Sequence, residues 1–234
     1  MTWKALNQIR HKELMFSIIN DIFDSSIKSK IWLKGWTLCL FVYGLDRFSV
    51  DLDFDVLEEW ALDEIKKVIR PILEKYGNIT DETKSKLILK YDTDILPLKL
   101  EFNTRIPQND HHEVINFFGK AIVAMTKECV AANKLVALVQ RKEERNKLAP
   151  RDLYDVRFFL KNHFPINDEL IKERTGKSTK EYFIFLQDFI PKYFNQENIL
   201  RWLGDLLSEK QKYFVKNKLI AEVLSQIDFF LWNK

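Results

Sequence analysis

Between Phe48 and Leu57 the sequence alternates polar and apolar residues without a slip. The polar positions are Ser49, Asp51, Asp53 and Asp55, and the apolar ones are Val50, Leu52, Phe54 and Val56. That period is the signature of a β-strand, whose successive side chains point to opposite faces. The segment therefore has one face for a core and one face carrying a hydroxyl and a row of carboxyls. Same-face neighbours stand roughly 6.5–7 Å apart along the backbone. Aspartate is a poor strand residue, and a row of them repels itself unless a cation intervenes. A solvated strand face is the plain alternative. The chemical alternative is an oxygen platform for one or two divalent cations, because Mg²⁺ commonly takes one or two carboxylates together with substrate phosphates.

Two other stretches bear on that choice. "LKLEF" is a second strand-like run that offers Glu101, with Lys99 on the same face. A third carboxylate from a neighbouring strand is what a metal-dependent phosphoryl or nucleotidyl transferase requires, to ligate a metal or take the proton of the attacking hydroxyl. Upstream, "LKGWTL" (residues 33–38) places Lys34, Gly35 and Thr37 where a helix begins. Backbone N–H groups in such a turn suit phosphate, although glycine before a helix is common.

Helical spacing covers residues 5–23, with Leu6, Ile9, Leu14, Ile18 and Ile22 on one side. A short helix is expected from Thr37 to Tyr43, stopped by Gly44, and another over "LDEIKKVIRPILEKYG", kinked at Pro71 and stopped by Gly77. "KLILKYDT" and "LPLKLEFNT" read as strands joined by a turn at Asp92–Asp94, and "PQND" reads as a loop. From Glu113 onward almost only helical periodicity is legible, with breaks expected near Pro150, Pro165, Gly176, Pro191 and Gly204. The fold class is therefore α+β, with a small mixed sheet flanked by helices over residues 1–110 and a helical bundle over 111–234.

Composition limits the function classes. Six Gly and six Pro argue against a Gly/Pro-rich all-β fold, and 18 Phe and 6 Trp can fill a sizeable core. Cys39 and Cys129 lie in apolar surroundings and read as buried thiols, without the spacing of a metal or disulfide framework. His111 and His112 fall in a polar loop without partner ligands. The first residues lack the apolar stretch of a signal peptide, and the run "WTLCLFVYGL" is too short to span a bilayer. A cytoplasmic protein without a membrane partner is the expectation. Residues 113–234 hold 21 Lys/Arg against 16 Asp/Glu, while residues 1–112 hold 16 against 18. That asymmetry mildly favours a C-terminal half that approaches phosphates.

Taken together, the loop "LKGWT", the segment "YGLDRFSVDLDF", "LKLEFNTR" and "KLVALVQR…RDLYD" resemble the AbiEii/AbiGii-type nucleotidyltransferase toxins, a branch of the DNA polymerase β-like superfamily. The resemblance runs from about residue 30 to 160 and is densest at Tyr43–Phe54. It implies a nucleotidyltransferase fold followed by a helical domain, and a toxin paired with an antitoxin. It also implies transfer of a nucleotide from an NTP to an RNA 3′ end, tRNA above all, with Mg²⁺ or Mn²⁺. Asp51 and Asp53 are similar to the family's metal-binding aspartates, and Glu101 to its third carboxylate. Arg47 and Ser49 match the Arg-x-Ser segment that holds triphosphate or orders the metal site. Lys134 is similar to a phosphate-contacting lysine, and Arg151, Asp152 and Asp155 fall in a segment the family carries near its site.

On one helix Lys134, Leu138, Arg141 and Arg145 share a side, which makes a cationic stripe or simply a solvated face. One position departs from the family: its loop has a second glycine where this chain has Trp36. A positive φ there would strain a tryptophan. Two other functions therefore stay open at this point. One is a nucleotidyltransferase acting on a small molecule such as an antibiotic, and the other is a degenerate, non-catalytic NTP-binding relative.

Overall fold

The computed structural model describes residues 3–93, 95–146, 148, 150–203 and 207–233, with backbone alone at 3–6, 145 and 202. Among the described residues the chain forms, in order, α1 (Trp3–Phe23), β1 (Ile31–Lys34), α2 (Gly35–Phe41), β2 (Asp51–Val56), a 3-10 turn at Glu59–Ala61 and α3 (Leu62–Glu74). Then come β3 (Asn78–Thr83), β4 (Lys86–Lys90), β5 (Leu98–Asn103), β6 (His112–Phe117) and β7 (Lys120–Met125). Seven helices follow: α4 (Lys127–Arg145), α5 (Pro150–Lys161), α6 (Asp168–Thr175), α7 (Thr179–Tyr193), α8 (Gln196–Leu203), α9 (Glu209–Asn217) and α10 (Leu219–Trp232). None of these helices is long and apolar enough to cross a membrane. The fold is α+β, a mixed sheet with helices followed by helices alone.

The chain divides into two compact units. The first contains residues 1–106 and 112–125, and the second contains 107–111 and 126–234. In the first unit the strands form one sheet in the order β3-β4-β5-β2-β1-β7-β6. The alternating strand β2 lies near its middle, antiparallel to β1 and parallel to β5. One face of β2 is apolar as its sequence demands. Leu52, Phe54 and Val56 are completely buried with Leu33 of β1 and Leu100 of β5. The Phe54 ring meets Phe102 and Phe23 at centroid distances of 6.1 and 6.4 Å. Helix α1 contributes Met15, Ile18, Ile19 and Ile22 to this core, and α3 contributes Ile65, Ile69 and Leu73. Ile9, expected on the buried side of α1, is 44% exposed, and the buried face is set by Met15 and Ile19 instead.

Three strands are not legible as strands in the sequence. β3 is an edge strand with only Ile79 as an apolar residue, and it depends on β4 for its hydrogen bonds. β6 and β7 occupy residues 112–125, where helical spacing is the expectation. Their turn explains the difference: Phe118 and Gly119 both have positive φ, 50° and 91°, and close a tight hairpin. Asn116 Oδ1 accepts from Gly119 N at 2.6 Å to hold it. A phenylalanine in the left-handed region gives no turn signal in the sequence.

The second unit is helical. Pro150 opens α5, and Gly176 closes α6 in the left-handed conformation. Pro191 does not break the chain but lies inside α7, and Pro71 likewise lies inside α3. The break expected near Gly204 and the Asp94 end of the expected turn lie outside the described residues. The segment 107–111 belongs to this unit because Glu173 of α6 accepts from Gln108 N and Asn109 N at 2.8 and 2.9 Å. Asn167, the N-cap of α6, donates to Asn109 O at 2.9 Å.

Candidate active site

The polar face of β2 carries the acids. Asp51 and Asp53 are partly exposed, and Asp55 is wholly buried. Strand β5 lies parallel beside them, with Lys99 opposite Asp51, Glu101 opposite Asp53 and Asn103 opposite Asp55. Adjacent strands are about 4.8 Å apart, so Glu101 and Asp53 are near neighbours on one face. Glu101 is exposed. On the other flank Lys34, the last residue of β1, pairs with Asp53. This register brings Asp51, Asp53, Glu101 and Lys34 to one patch of sheet.

Gly35 follows at once and is shaped for its neighbour. Its φ is +72°, and a Cβ added to it would lie 2.0 Å from Asp53 Oδ2. The Asp53 carboxylate therefore packs directly on the Gly35 backbone. Thr37, in the first turn of α2, is wholly buried. Its hydroxyl donates to the backbone carbonyl of Asp51 and lies 3.2 Å from Ser49 Oγ. Thr37 and Ser49, expected at the substrate, thus join the start of β2 to α2 from within.

Trp36 does not take the glycine-only conformation. It belongs to helix α2, is absent from the positive-φ residues and is 7% exposed. Its ring is covered by the Arg47 guanidinium at 4.4 Å from the centroid, a cation–π contact. Arg47 is itself buried and donates to Phe48 O at 2.9 Å. The Arg-x-Ser segment therefore locks the loop that leads into β2.

The donor set fits a hard divalent cation. Asp51 Oδ1 is buried and accepts no hydrogen bond, and its nearest cation is Lys99 Nζ at 3.9 Å. A desolvated carboxylate oxygen without a donor is costly unless something positive completes it. Among the described residues no three His, Cys, Asp or Glu side chains form a ready metal cage. Two carboxylates completed by substrate phosphates suit Mg²⁺ or Mn²⁺ without one.

Asp55 has a different environment. Burial pushes its carboxyl up, but the hydrogen bond from His112, the charge of Lys34 and the bonds from Lys34 and Asn103 outweigh it. Its pKa therefore lies below the ordinary carboxylate value. His112 is not in a loop, as its polar surroundings in the sequence imply. It heads β6, and its Nε2 lies 3.0 Å from Asp55 Oδ2.

The second unit has its own cluster. Asp152, in the first turn of α5, is wholly buried. Its Oδ1 lies 3.4 Å from Lys134 Nζ and its Oδ2 lies 3.3 Å from Arg141 Nη1, both on α4. One carboxylate thus gathers two members of the expected cationic stripe. Leu138, the apolar member, is buried, and the side chain of Arg145 lies outside the described residues. Asp155 is also buried one turn further along α5, while Arg151 is partly exposed.

Comparison with known proteins follows the same outline. The family described as "Nucleotidyl transferase AbiEii toxin, Type IV TA system" matches residues 17–226. No curated protein sequence matches the chain significantly. Among solved structures, JHP933 from Helicobacter pylori is similar with a TM-score of 0.56 and 22% identity, covering 97% of this chain and 92% of its own. MenT4, a nucleotidyltransferase toxin from Mycobacterium tuberculosis H37Rv, is similar with a TM-score of 0.55 and 15% identity, covering 97% of this chain and 85% of its own. At these identities the two structures show a shared nucleotidyltransferase-like fold.

Proposed function

The chain belongs to the AbiEii nucleotidyltransferase toxin family of type IV toxin–antitoxin systems, and we propose that it transfers a nucleotide from an NTP to the 3′ end of an RNA, a tRNA, with Mg²⁺ or Mn²⁺. The observation that carries this reading is the register of β2 and β5, which sets Glu101 beside Asp53 with Asp51 next along the same face.

In this reading Asp51 and Asp53 hold the metal, and Gly35 leaves Asp53 the room to lie where it does. A bound divalent ion supplies charge that steadies the triphosphate and lowers the pKa of the attacking hydroxyl. Glu101, exposed at the edge of the carboxylate face, accepts the proton of that hydroxyl or completes the metal's ligands. Lys34 contributes a cation beside Asp53 for phosphate. Within the second unit Asp152 gathers Lys134 and Arg141, two cations suited to phosphate, and Arg151 and Asp155 flank them on α5. Thr37, Ser49 and Arg47 act behind this surface by fixing the loop and the start of β2.

An RNA acceptor is supported by the charge distribution, since residues 113–234 hold 21 Lys/Arg against 16 Asp/Glu. MenT4, which shares the fold, is a nucleotidyltransferase toxin, and a toxic transfer reaction here agrees with that. The cognate antitoxin is the expected genetic partner. The main reason to suspect a degenerate relative is Trp36, and its helical, ring-stacked conformation speaks against backbone strain at that position.

The test is label transfer. Purified protein is incubated with each α-labelled NTP, Mg²⁺ and total tRNA, beside the Asp51→Asn variant. Label on tRNA from the wild type alone supports the reading. No transfer from any NTP by folded wild-type protein overturns it, and transfer to a small molecule but not to tRNA decides for the small-molecule alternative.

A further inference from the structure

Asp55 is the acid of β2 that the metal reading leaves unused, and three side chains engage it. Its Oδ1 accepts from Lys34 Nζ at 2.5 Å and from Asn103 Nδ2 at 2.7 Å. Its Oδ2 lies 3.0 Å from His112 Nε2, which donates to it. The indole of Trp32 covers the His112 ring at a centroid distance of 4.1 Å. Side chains from β1, β5 and β6 thus converge on a single carboxylate of β2. Replacing such a buried ionic cluster by apolar residues is often neutral or stabilising, so stability alone is a poor reason for it.

The cation at the centre of the cluster stands in a telling place. Lys34 pairs with Asp53 across the β1–β2 ladder and immediately precedes Gly35. Its side chain is 20% exposed, whereas that of Asp55 is fully buried. Asp55 therefore grips the ammonium from the protein side. An ammonium has three N–H donors, and Asp55 takes one. A lysine left loose on its four-carbon stem would have to be ordered by the ligand itself, at a cost in affinity.

We propose that Asp55 is a positioning residue which, backed by Asn103 and His112, holds the Lys34 ammonium on the carboxylate face as a fixed cation for the triphosphate of the incoming nucleotide. This rests on the nucleotidyltransferase reading and adds the means by which its phosphate contact is kept in place. Asp55 itself touches neither nucleotide nor metal. Its effect passes through Lys34, and that makes the two residues thermodynamically coupled.

Equilibrium binding separates this from a merely structural role. MgATP, MgGTP, MgCTP and MgUTP are each titrated calorimetrically into wild type, Lys34→Met, Asp55→Asn and the double variant, with circular dichroism as the fold control. For the nucleotide the wild type binds best, Lys34→Met is expected to weaken affinity about 10-fold or more, the loss of one charge-assisted hydrogen bond. Asp55→Asn is expected to weaken it roughly 5-fold, and the double variant to match Lys34→Met, because coupled losses do not multiply. Wild-type affinity in Asp55→Asn, or losses that multiply in the double variant, overturns the proposal while leaving the nucleotidyltransferase reading intact. Wild-type protein that binds none of the four overturns both. Should Asp55→Asn not fold, Asn103→Ala replaces it: a loss of about 3-fold is expected in the wild-type background and none in the Lys34→Met background. An equal loss in both backgrounds, or no loss in either, overturns the proposal.

Discussion

Gly35 and Asp53 touch with no room between them, since a Cβ on Gly35 would fall 2.0 Å from Asp53 Oδ2. The glycine also carries a φ of +72°, which an L side chain adopts at a cost of roughly 1–2 kcal/mol. Gly35→Ala is therefore expected to do two things at once. It should lower stability by about that amount, and it should push the Asp53 carboxylate off its position. A misplacement of about 1 Å can cost about 100-fold in rate, so label transfer should fall by that order while denaturant unfolding shows only the small loss.

Asp51→Asn and Asp53→Asn should separate function from stability in the opposite sense. Each removes one negative charge from a row of acids on β2 that repel one another. The thermal midpoint of Asp51→Asn should stay level or rise. Transfer should fall about 1,000-fold or more, because a metal site supplies several kcal/mol of charge stabilisation to such a step. Mn²⁺ binding followed by electron paramagnetic resonance should weaken in both variants. A variant that keeps full transfer removes that aspartate from the metal site.

Trp36→Gly would restore the family's second glycine, and it should be harmful. The indole is 7% exposed and stacked under Arg47. Its removal leaves a large cavity, at a cost of about 3–5 kcal/mol, and puts glycine inside a helix. NTP affinity should not improve. A gain in affinity with unchanged stability would mean that the tryptophan is a functional obstruction.

Much of this arrangement is legible in the sequence because it is local. The alternation from Ser49 to Val56 determines both faces of β2 with no outside information. Lys134, Arg141 and Asp152 are readable as helix-face and helix-start residues for the same reason. What is not legible is set by partners far away in sequence. Nothing near His112 says that it will bond Asp55, because that contact needs β6 to join the sheet beyond β7 and β1. β3 and β6 escape notice because an edge strand is held by one neighbour's backbone, which writes little into its side chains. Trp36 looks strained in the sequence only if the loop needs positive φ at two successive residues, and Gly35 alone has it.

Stability should fall as the solution is acidified past neutrality, and His11 is one identifiable cause. Its ring is buried between Tyr91 and the Val50 carbonyl, with Nδ1 2.5 Å from Tyr91 Oη and Nε2 3.2 Å from Val50 O. Burial lowers its pKa, and the bond to Val50 offsets this only in part. The unfolded chain, with a histidine pKa of about 6.5, then takes up the proton before the folded one does. Stability is full above about 6.5 and declines as pH falls from there toward the folded-state value. Urea unfolding between about pH 7.5 and 5 should show this slope, and His11→Gln should flatten it.

Asp152 should be the residue whose loss most damages the second unit. It is wholly buried, and Lys134 and Arg141 both point their charge at it. Removing one partner of a buried ionic cluster strands the others, and such losses run to about 3–5 kcal/mol. Asp152→Ala should therefore be unstable by roughly 3 kcal/mol and inactive for that reason. Lys134→Met behaves differently if the lysine serves phosphate. Arg141 Nη1, 3.3 Å away, still faces Asp152, so the carboxylate keeps a counter-charge and the unfolding free energy should change by less than about 1.5 kcal/mol. Nucleotide KM should rise all the same. A Lys134→Met protein with unchanged KM would take the lysine out of phosphate binding.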